Sequence, residues 1–181
     1  WKARARGSPT IVRCWGLNST GQGGIGSLTE TIHTSQPVRY NANLSLTNAT
    51  AISAGSYHTC ALVNVSGNGE KVYCWGANSH GQINNSNDSH LPAPNPVNEQ
   101  ASPAVAFHAV DLAIGAQHSC AIDLNQAVRC WGRNQVGQLG RGLASPSYQS
   151  NPIPHPQTSI VVGIDGTAAD HLFANGFDGP N

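Results

Sequence analysis

An all-β chain assembled from copies of one unit of short antiparallel strands is what this sequence predicts, on three observations. The stretch AISAGSYHTCALV…KVYCWGANSHGQ (51–82) returns, in the same order of residue types, as DLAIGAQHSCAID…AVRCWGRNQVGQLG (111–140). Its second half occurs again near the start as VRCWGLNSTGQ (12–22), so that Cys-Trp-Gly triplets recur at Cys14, Cys74 and Cys130, 60 and 56 residues apart. A period of this length marks one supersecondary unit stacked on copies of itself. The apolar runs are short, β-branched and aromatic, and are separated by Gly, Asn and Ser clusters. Finally, only 10% of residues are charged while the chain holds 20 glycines and 11 prolines, a composition that suits turns between strands.

Each element follows in order. The start, WKARARGSPT, is basic through Lys2, Arg4 and Arg6. It is too short and too poor in aromatics for a nucleic-acid arm and lacks the apolar centre of a signal peptide. The half unit 12–22 comes next, then a polar connection over 27–50 with one strand expected at 37–40. Ala51 to Ala54 reads as a strand stopped by Gly55. Strands over 57–63 and 71–75 flank the hairpin turn NVSGNGE, whose counterpart in the later copy is the shorter Leu124-Asn125-Gln126. W-G-x-N-x-x-G-Q then appears three times: Trp15/Gly16/Asn18/Gly21/Gln22, Trp75/Gly76/Asn78/Gly81/Gln82 and Trp131/Gly132/Asn134/Gly137/Gln138. Its glycines suit a turn with positive φ, and its Asn and Gln can satisfy loop backbone groups. A Pro-bearing outer strand is expected after each copy, in QPVRY, NPV and NPIP. The tract 84–103, rich in Asn, Ser and Pro, reads as a long exposed loop. TSIVVGIDGTA is a strand and turn near the end.

About four strands per unit match one blade of a β-propeller, and the expected fold is a partial propeller of about three blades. The expected division is a half blade at 1–26, blades at 27–86 and 87–142, a partial blade or closing strand at 143–164, and a tail at 165–181.

The pattern G-x-x-H-[ST]-C-A-[LI] … V-x-C-W-G-x-N-x-x-G-Q resembles the repeat of the regulator of chromosome condensation family, whose members are commonly β-propellers. The resemblance covers Val12 to Pro154 and departs from the family at GQINN, where GQLG is usual. After Ile153 no further G-x-x-H-[ST] half follows. That gap, the lack of methionine and the missing half upstream of Cys14 lead to the expectation that the sequence is the C-terminal piece of a longer protein. The closing LFANGFD resembles a tail found on many exported bacterial proteins; it reads equally as a terminal strand docked through Leu172, Phe173 and Phe177.

Five cysteines sit at repeat-locked positions. Thirteen residues separate Cys60 from Cys74 and nine separate Cys120 from Cys130, and the even difference falls in the hairpin turn. Both pairs can therefore face each other across two strands, within disulfide reach. Cytosolic members of the family more often carry Ser or an aliphatic residue here. Two bridges are expected, with Cys14 as a free thiol, and with them an extracellular, periplasmic or cell-surface location. Zinc on His58, Cys60 and Cys74, echoed by His118, Cys120 and Cys130, fits less well, because the spacings differ from a short C-x2-4-C knuckle. The histidines are expected to bond backbone between blades.

No carboxylate pair recurs at a spacing suited to acid–base work, and Ser119 follows His118 directly, on the opposite strand face. No catalytic, cofactor or metal site is expected. Zero formal charge gives no electrostatic case for nucleic acid, and there is no apolar run long enough to span a membrane as a helix. N-x-[ST] sequons at Asn18, Asn43, Asn48, Asn64, Asn84 and Asn87 read as chance in so polar a chain. The family resemblance allows nucleotide exchange with chromatin contact, inhibition of a secreted enzyme, or light sensing; a secreted hydrolase is the opposing class. The expected function is a non-catalytic, exported protein-binding module that self-associates through open blade edges. Its contacts are assigned to Asn68, Lys71, His90 and Tyr148, with the repeat-locked Trp75 and Trp131 acting only in folding.

Overall fold

A computed structural model of the chain describes residues 11–65, 69–84, 87–100 and 105–140, and the backbone of a strand at 153–158. The described chain is all-β and antiparallel. A hairpin of β1 (Arg13–Leu17) and β2 (Thr31–Pro37) comes first. Two four-stranded meanders follow, separated by small hairpins. The first is β5 (Ala49–Ala54), β6 (His58–Asn64), β7 (Glu70–Ala77) and β8 (His90–Pro96). The second is β11 (His108–Ile114), β12 (His118–Asp123), β13 (Val128–Gly132) and β14 (Ile153–Thr158). A short bridge from β7 to β11 joins the meanders at His108↔Lys71 and Ala109↔Glu70. The strand groups run across the boundary drawn at 86/87, since β8 pairs backwards onto β7.

Two small hairpins occupy the connections: β3 (Arg39–Asn41) with β4 (Leu44–Ser45), and β9 (Asn98–Gln100) with β10 (Val105–Ala106). The tract 84–103, expected to be an exposed loop, thus carries β8 and β9. Its prolines are tolerated because β8 is an outer strand whose ladder pairing among the described residues is to β7 on one edge. Val97, just past it, is fully enclosed. Likewise β2, β3 and β4 run through 31–45, where the sequence predicts one strand at 37–40.

The connections matter because they build the core. Val12, Val38 and Leu46 close a three-way backbone ring: Val38 N–H donates to Val12 O (2.8 Å), Leu46 N–H to Val38 O (2.8 Å) and Val12 N–H to Leu46 O (3.0 Å). Val72, Val97 and Phe107 repeat it, with Val97 N–H to Val72 O and Phe107 N–H to Val97 O both 2.9 Å and Val72 N–H to Phe107 O 3.2 Å. Each ring drives its apolar side chains beneath the tryptophan of the following unit. Val38 and Leu46 pack with Trp75, and Phe107 meets Trp131 edge-on with centroids 5.8 Å apart. Both tryptophans are fully buried.

Sulfur closes the two meanders. Cys60 faces Cys74 in register across β6 and β7, and Cys120 faces Cys130 across β12 and β13. The structure joins each pair as a disulfide with Cα atoms 4.1 Å apart, and leaves Cys14 a free thiol on β1.

Candidate functional site

The W-G-x-N-x-x-G-Q motif forms the same turn three times. The Asn side-chain oxygen accepts the amide just past the Gln: Asn18 from Gly23 (2.8 Å), Asn78 from Ile83 (2.9 Å), Asn134 from Leu139 (3.1 Å). The Gln side chain folds back on its own turn, with Gln22 accepting from Thr20 N–H (3.0 Å), Gln82 from His80 N–H (2.9 Å) and Gln138 from Val136 N–H (2.9 Å). The second glycine closes the turn through its amide: Gly21 N–H donates to Asn18 O (2.9 Å), Gly81 N–H to Asn78 O (2.9 Å) and Gly137 N–H to Asn134 O (3.4 Å). All three glycines hold positive φ, at +81°, +66° and +77°.

With both side chains spent locally, the Gln backbone carbonyl points at the next unit. Gln22 O accepts from Trp75 Nε1 (2.9 Å) and Thr59 Oγ1 (3.1 Å), and Gln82 O accepts from Ser119 Oγ (2.8 Å). Trp131 Nε1, the counterpart of Trp75 Nε1, is buried with no partner. All three copies form the same turn, but the turns differ in what stands beyond them. Gly81 and Gln82 are buried in the joint with the following unit, whereas Gly137 and Gln138 are half-buried. A Cβ on Gly137 would meet nothing within 4 Å. The reason is position: no further unit stands beyond the third turn among the described residues. Gly137 and Gln138 shape their own turn, while Gly81 and Gln82 also make a joint.

The glycine after each buried tryptophan, Gly76 after Trp75 and Gly132 after Trp131, lets three segments meet. A Cβ on Gly76 would lie 2.5 Å from Tyr57 O and 3.2 Å from Gln22 Cα, and its φ is +114°. Gly132 (φ +103°) is equally confined, by Gln117 O at 2.8 Å and Gln82 Cβ at 3.1 Å. Any side chain here would force the turn away from its neighbour.

His58 lies at the heart of the second joint. Its Nε2 sits 2.8 Å from Ser119 Oγ, whose own proton goes to Gln82 O, so Nε2 is the donor to the serine. Nδ1 is buried without a partner. Burial, with a smaller push from His118, lowers the His58 pKa to about 4. The sequence predicts that this histidine bonds backbone between blades; it bonds a side chain instead, because the serine hydroxyl relays to the backbone carbonyl. No group of three or more His, Cys, Asp or Glu arranged to hold a metal occurs among the described residues.

On this repeated scaffold the turn tips differ. Thr20, His80 and Val136 occupy one equivalent position; Tyr57 and Gln117 occupy another; Leu17, Ala77 and Arg133 a third. Thr20 Oγ1 donates to Tyr57 O (3.0 Å), and Arg133 N–H donates to Gln117 O (3.0 Å). The Arg133 guanidinium is gripped by the side-chain oxygens of Gln117 and Gln135. Desolvation and then the Arg133 charge lower the pKa of His80, which ties the second and third tips together. Val136 is 86% exposed and Tyr57 45%. Among the described residues no carboxylate pairs with Arg133. Across the tips the residues presented are a cation without a carboxylate partner among the described residues, an imidazole, a phenol and an apolar residue.

The contact residues expected from sequence fall elsewhere. Lys71 is in strand β7, opposite Val63 and His108, and is no loop residue. Its place on the strand follows from the seven-residue pairing of β6 with β7, which begins at Glu70. His90 opens β8, exposed, with its Nδ1 2.9 Å from Ser89 Oγ. Asn68 and Tyr148 lie outside the described residues, as do the closing tail and 143–152. The tips were missed, yet the signal was present: they are the positions that change inside an otherwise constant turn.

The family's sequence profile, the Regulator of chromosome condensation (RCC1) repeat, matches residues 12–62 and 70–122, and a second profile of the same repeat matches 49–82 and 109–138. The chain is 33% identical over 175 residues to the ultraviolet-B receptor UVR8 of Arabidopsis thaliana, covering 95% of this chain and 36% of the receptor. It is 36% identical over 117 residues to human alsin, covering 62% of this chain and 7% of alsin. Among solved structures it superposes on yeast RCC1 (Prp20) bound to Kap60 with a TM-score of 0.63 at 20% identity, covering 84% of this chain and 34% of that one. Human WBSCR16 gives a TM-score of 0.56 at 16% identity, covering 81% and 34%. The chain thus spans about a third or less of these relatives. Its thrice-formed turn, its buried tryptophans and the matched spans place it in the RCC1-repeat family.

Proposed function

We propose that this chain is a non-catalytic protein-binding part of an RCC1-repeat protein that works in an oxidising compartment, outside the cytosol. The observation that carries the reading is the turn surface. Three turns share one hydrogen-bond pattern, and the residues they hold out, Thr20, His80 and Val136, have nothing in common chemically. Binding residues concentrate on variable loops fixed by a rigid frame. A mixed surface with one cation and exposed aromatic and apolar groups suits a protein partner with an acidic, apolar patch. The two disulfides support export, since such bridges persist where thiols are not kept reduced. A hydrolytic reading gains nothing from Ser119 and His58, which are fully buried with the serine proton committed to Gln82 O.

The test replaces Tyr57, His80 and Val136 together by alanine. Secreted or surface proteins captured by the oxidised chain are expected to be lost from the triple variant, with its melting temperature unchanged. Capture that survives the substitutions, or turnover of an ester, peptide or glycoside substrate abolished by one side-chain change, overturns the reading.

A further inference from the structure

The third turn departs from the other two at three positions together. Leu17 and Ala77 give way to Arg133, Ser19 and Ser79 to Gln135, and Tyr57 at the strand entry to Gln117. The first two copies form the same turn without these residues, so the fold does not require them. In the structure they make one cluster. Arg133 N–H donates to Gln117 O (3.0 Å). The Arg133 guanidinium donates from Nε to Gln135 Oε1 (2.7 Å), from Nη2 to the same oxygen, and from Nη1 to Gln117 Oε1. A guanidinium carries five N–H donors. Three are spent, and one on each terminal nitrogen is left without a partner among the described residues. Gln135 closes the Nε–Nη2 edge, so the fork that stays open is the Nη1–Nη2 edge.

These partners are neutral amides, which fix the guanidinium plane and leave its charge unmatched. Arg129 shows the alternative in the same unit: its Nε donates to Asp123 Oδ2 at 2.7 Å, and the two charges cancel. A cation that the turn can do without, held in place by uncharged oxygens, is arranged to meet an anion.

We propose that the Nη1–Nη2 fork of Arg133 takes the side-chain carboxylate of an aspartate or glutamate on a second protein, with Val136 beside it to meet an apolar neighbour of that acid. The proposal rests on the reading of the turn tips as a partner surface and names the contact made there. A carboxylate offers two coplanar oxygens to two parallel N–H groups, and a guanidinium already fixed loses little freedom in making that contact. A phosphate group fits the fork in shape but carries nearly two charges at neutral pH. The cluster offers one, because His80, whose pKa burial and then the Arg133 charge lower, is neutral there. Charge balance selects the monoanion. Val136, exposed at the tip next to Gln135, supplies the apolar contact.

The probe is the peptide acetyl-Ala-Glu-Leu-Ala-amide, beside versions with Gln or phosphoserine in place of Glu. Each is titrated into the full 181-residue chain with both disulfides intact. The Arg133 Nε–H and His80 ring signals, followed by nuclear magnetic resonance, are expected to shift saturably with the Glu peptide. The two control peptides should bind at least about tenfold more weakly. His80 should titrate at a higher pH in the complex, because the bound carboxylate offsets the Arg133 charge. Arg133→Lys keeps the charge but not the fork, and should weaken the Glu peptide by about tenfold, read at His80, with the melting temperature unchanged. Gln135→Leu removes the hold on Nε and Nη2; it should weaken the peptide too and speed rotation of the Arg133 guanidinium. Equal binding of the Glu peptide and either control, or of the Glu peptide to the native and Arg133→Lys chains, overturns the proposal. So does a peptide that binds only after Asp165, Asp170 and Asp178 are all changed to Asn, since the chain's own carboxylate then fills the fork. Capture of partners that is lost from the Tyr57, His80 and Val136 triple variant but kept by Arg133→Gln also overturns it, and leaves the partner surface standing.

Discussion

His58 is held neutral by its surroundings, and that has a measurable cost at acid pH. Its folded pKa of about 4 lies below the ordinary value of 6.5, chiefly through burial. An unfolded chain therefore takes up a proton before the folded chain does, and stability falls as pH drops from about 6.5 towards 4. Above 6.5 the contribution is fully present. The full swing is about 3 kcal/mol for a shift of this size. His118 shifts in the same direction, also by burial, and adds to the slope. Denaturant midpoints measured between pH 7.5 and 4 should fall steadily for the native chain. His58→Gln should be less stable at pH 7 but should lose less on acidification. An equal slope in both chains would show that this imidazole is not the group being titrated.

Between units, a hydroxyl donates to the Gln carbonyl at each joint, and the two joints differ in what depends on it. Thr59 donates to Gln22 O beside Trp75 Nε1, so loss of the hydroxyl leaves that carbonyl one good partner. Ser119 serves both Gln82 O and His58, so its loss leaves two buried polar groups unmatched. Thr59→Val is expected to cost about 1 kcal/mol and Ser119→Ala about 2 to 3 kcal/mol, read from urea midpoints at neutral pH. The reverse order would mean that His58 finds another acceptor. Much of this element was legible in the sequence. The repeated W-G-x-N-x-x-G-Q and H-[ST]-C marked the turn and the paired strands, because local hydrogen bonding and the two-residue strand period act over short spans. The role of the Gln carbonyl was not legible, since its partners lie 37 to 53 residues further on and the signal is a backbone atom. For the same reason the motif letters alone could not separate Gly81 and Gln82, enclosed in a joint, from Gly137 and Gln138, which hold only their own turn. The Pro-bearing outer strands expected in QPVRY and NPV are present, but their full extent, β2 over 31–37 and β8 over 90–96, and the small strands beside them were not legible, on different grounds. Outer strands bonded on one edge tolerate prolines and polar residues that erase the usual alternation.

Across the whole molecule, each unit borrows burial from the one before it, so stability should be graded along the chain. Trp75 is covered by the β1–β2 unit and its connection, and Trp131 by the next. The β1–β2 hairpin has no unit on its own outer side among the described residues, carries exposed Trp15 and Leu17, and is closed by no disulfide. The β6–β7 pair is buried along most of its length and bridged by Cys60–Cys74. In repeat architectures, where units contact only their neighbours, such differences appear as separate local openings. Native-state amide exchange followed by mass spectrometry should therefore show β1 and β2 exchanging first and β6 and β7 last. Reducing both disulfides should speed exchange in β6, β7, β12 and β13 far more than in β1. Closing a loop of about 15 residues is worth about 3 kcal/mol, so protection in the bridged hairpins should fall by roughly two powers of ten. If β1 and β6 instead exchange at one common rate, before and after reduction, the described chain opens as a single cooperative body. The first hairpin would then be as firmly held as the second.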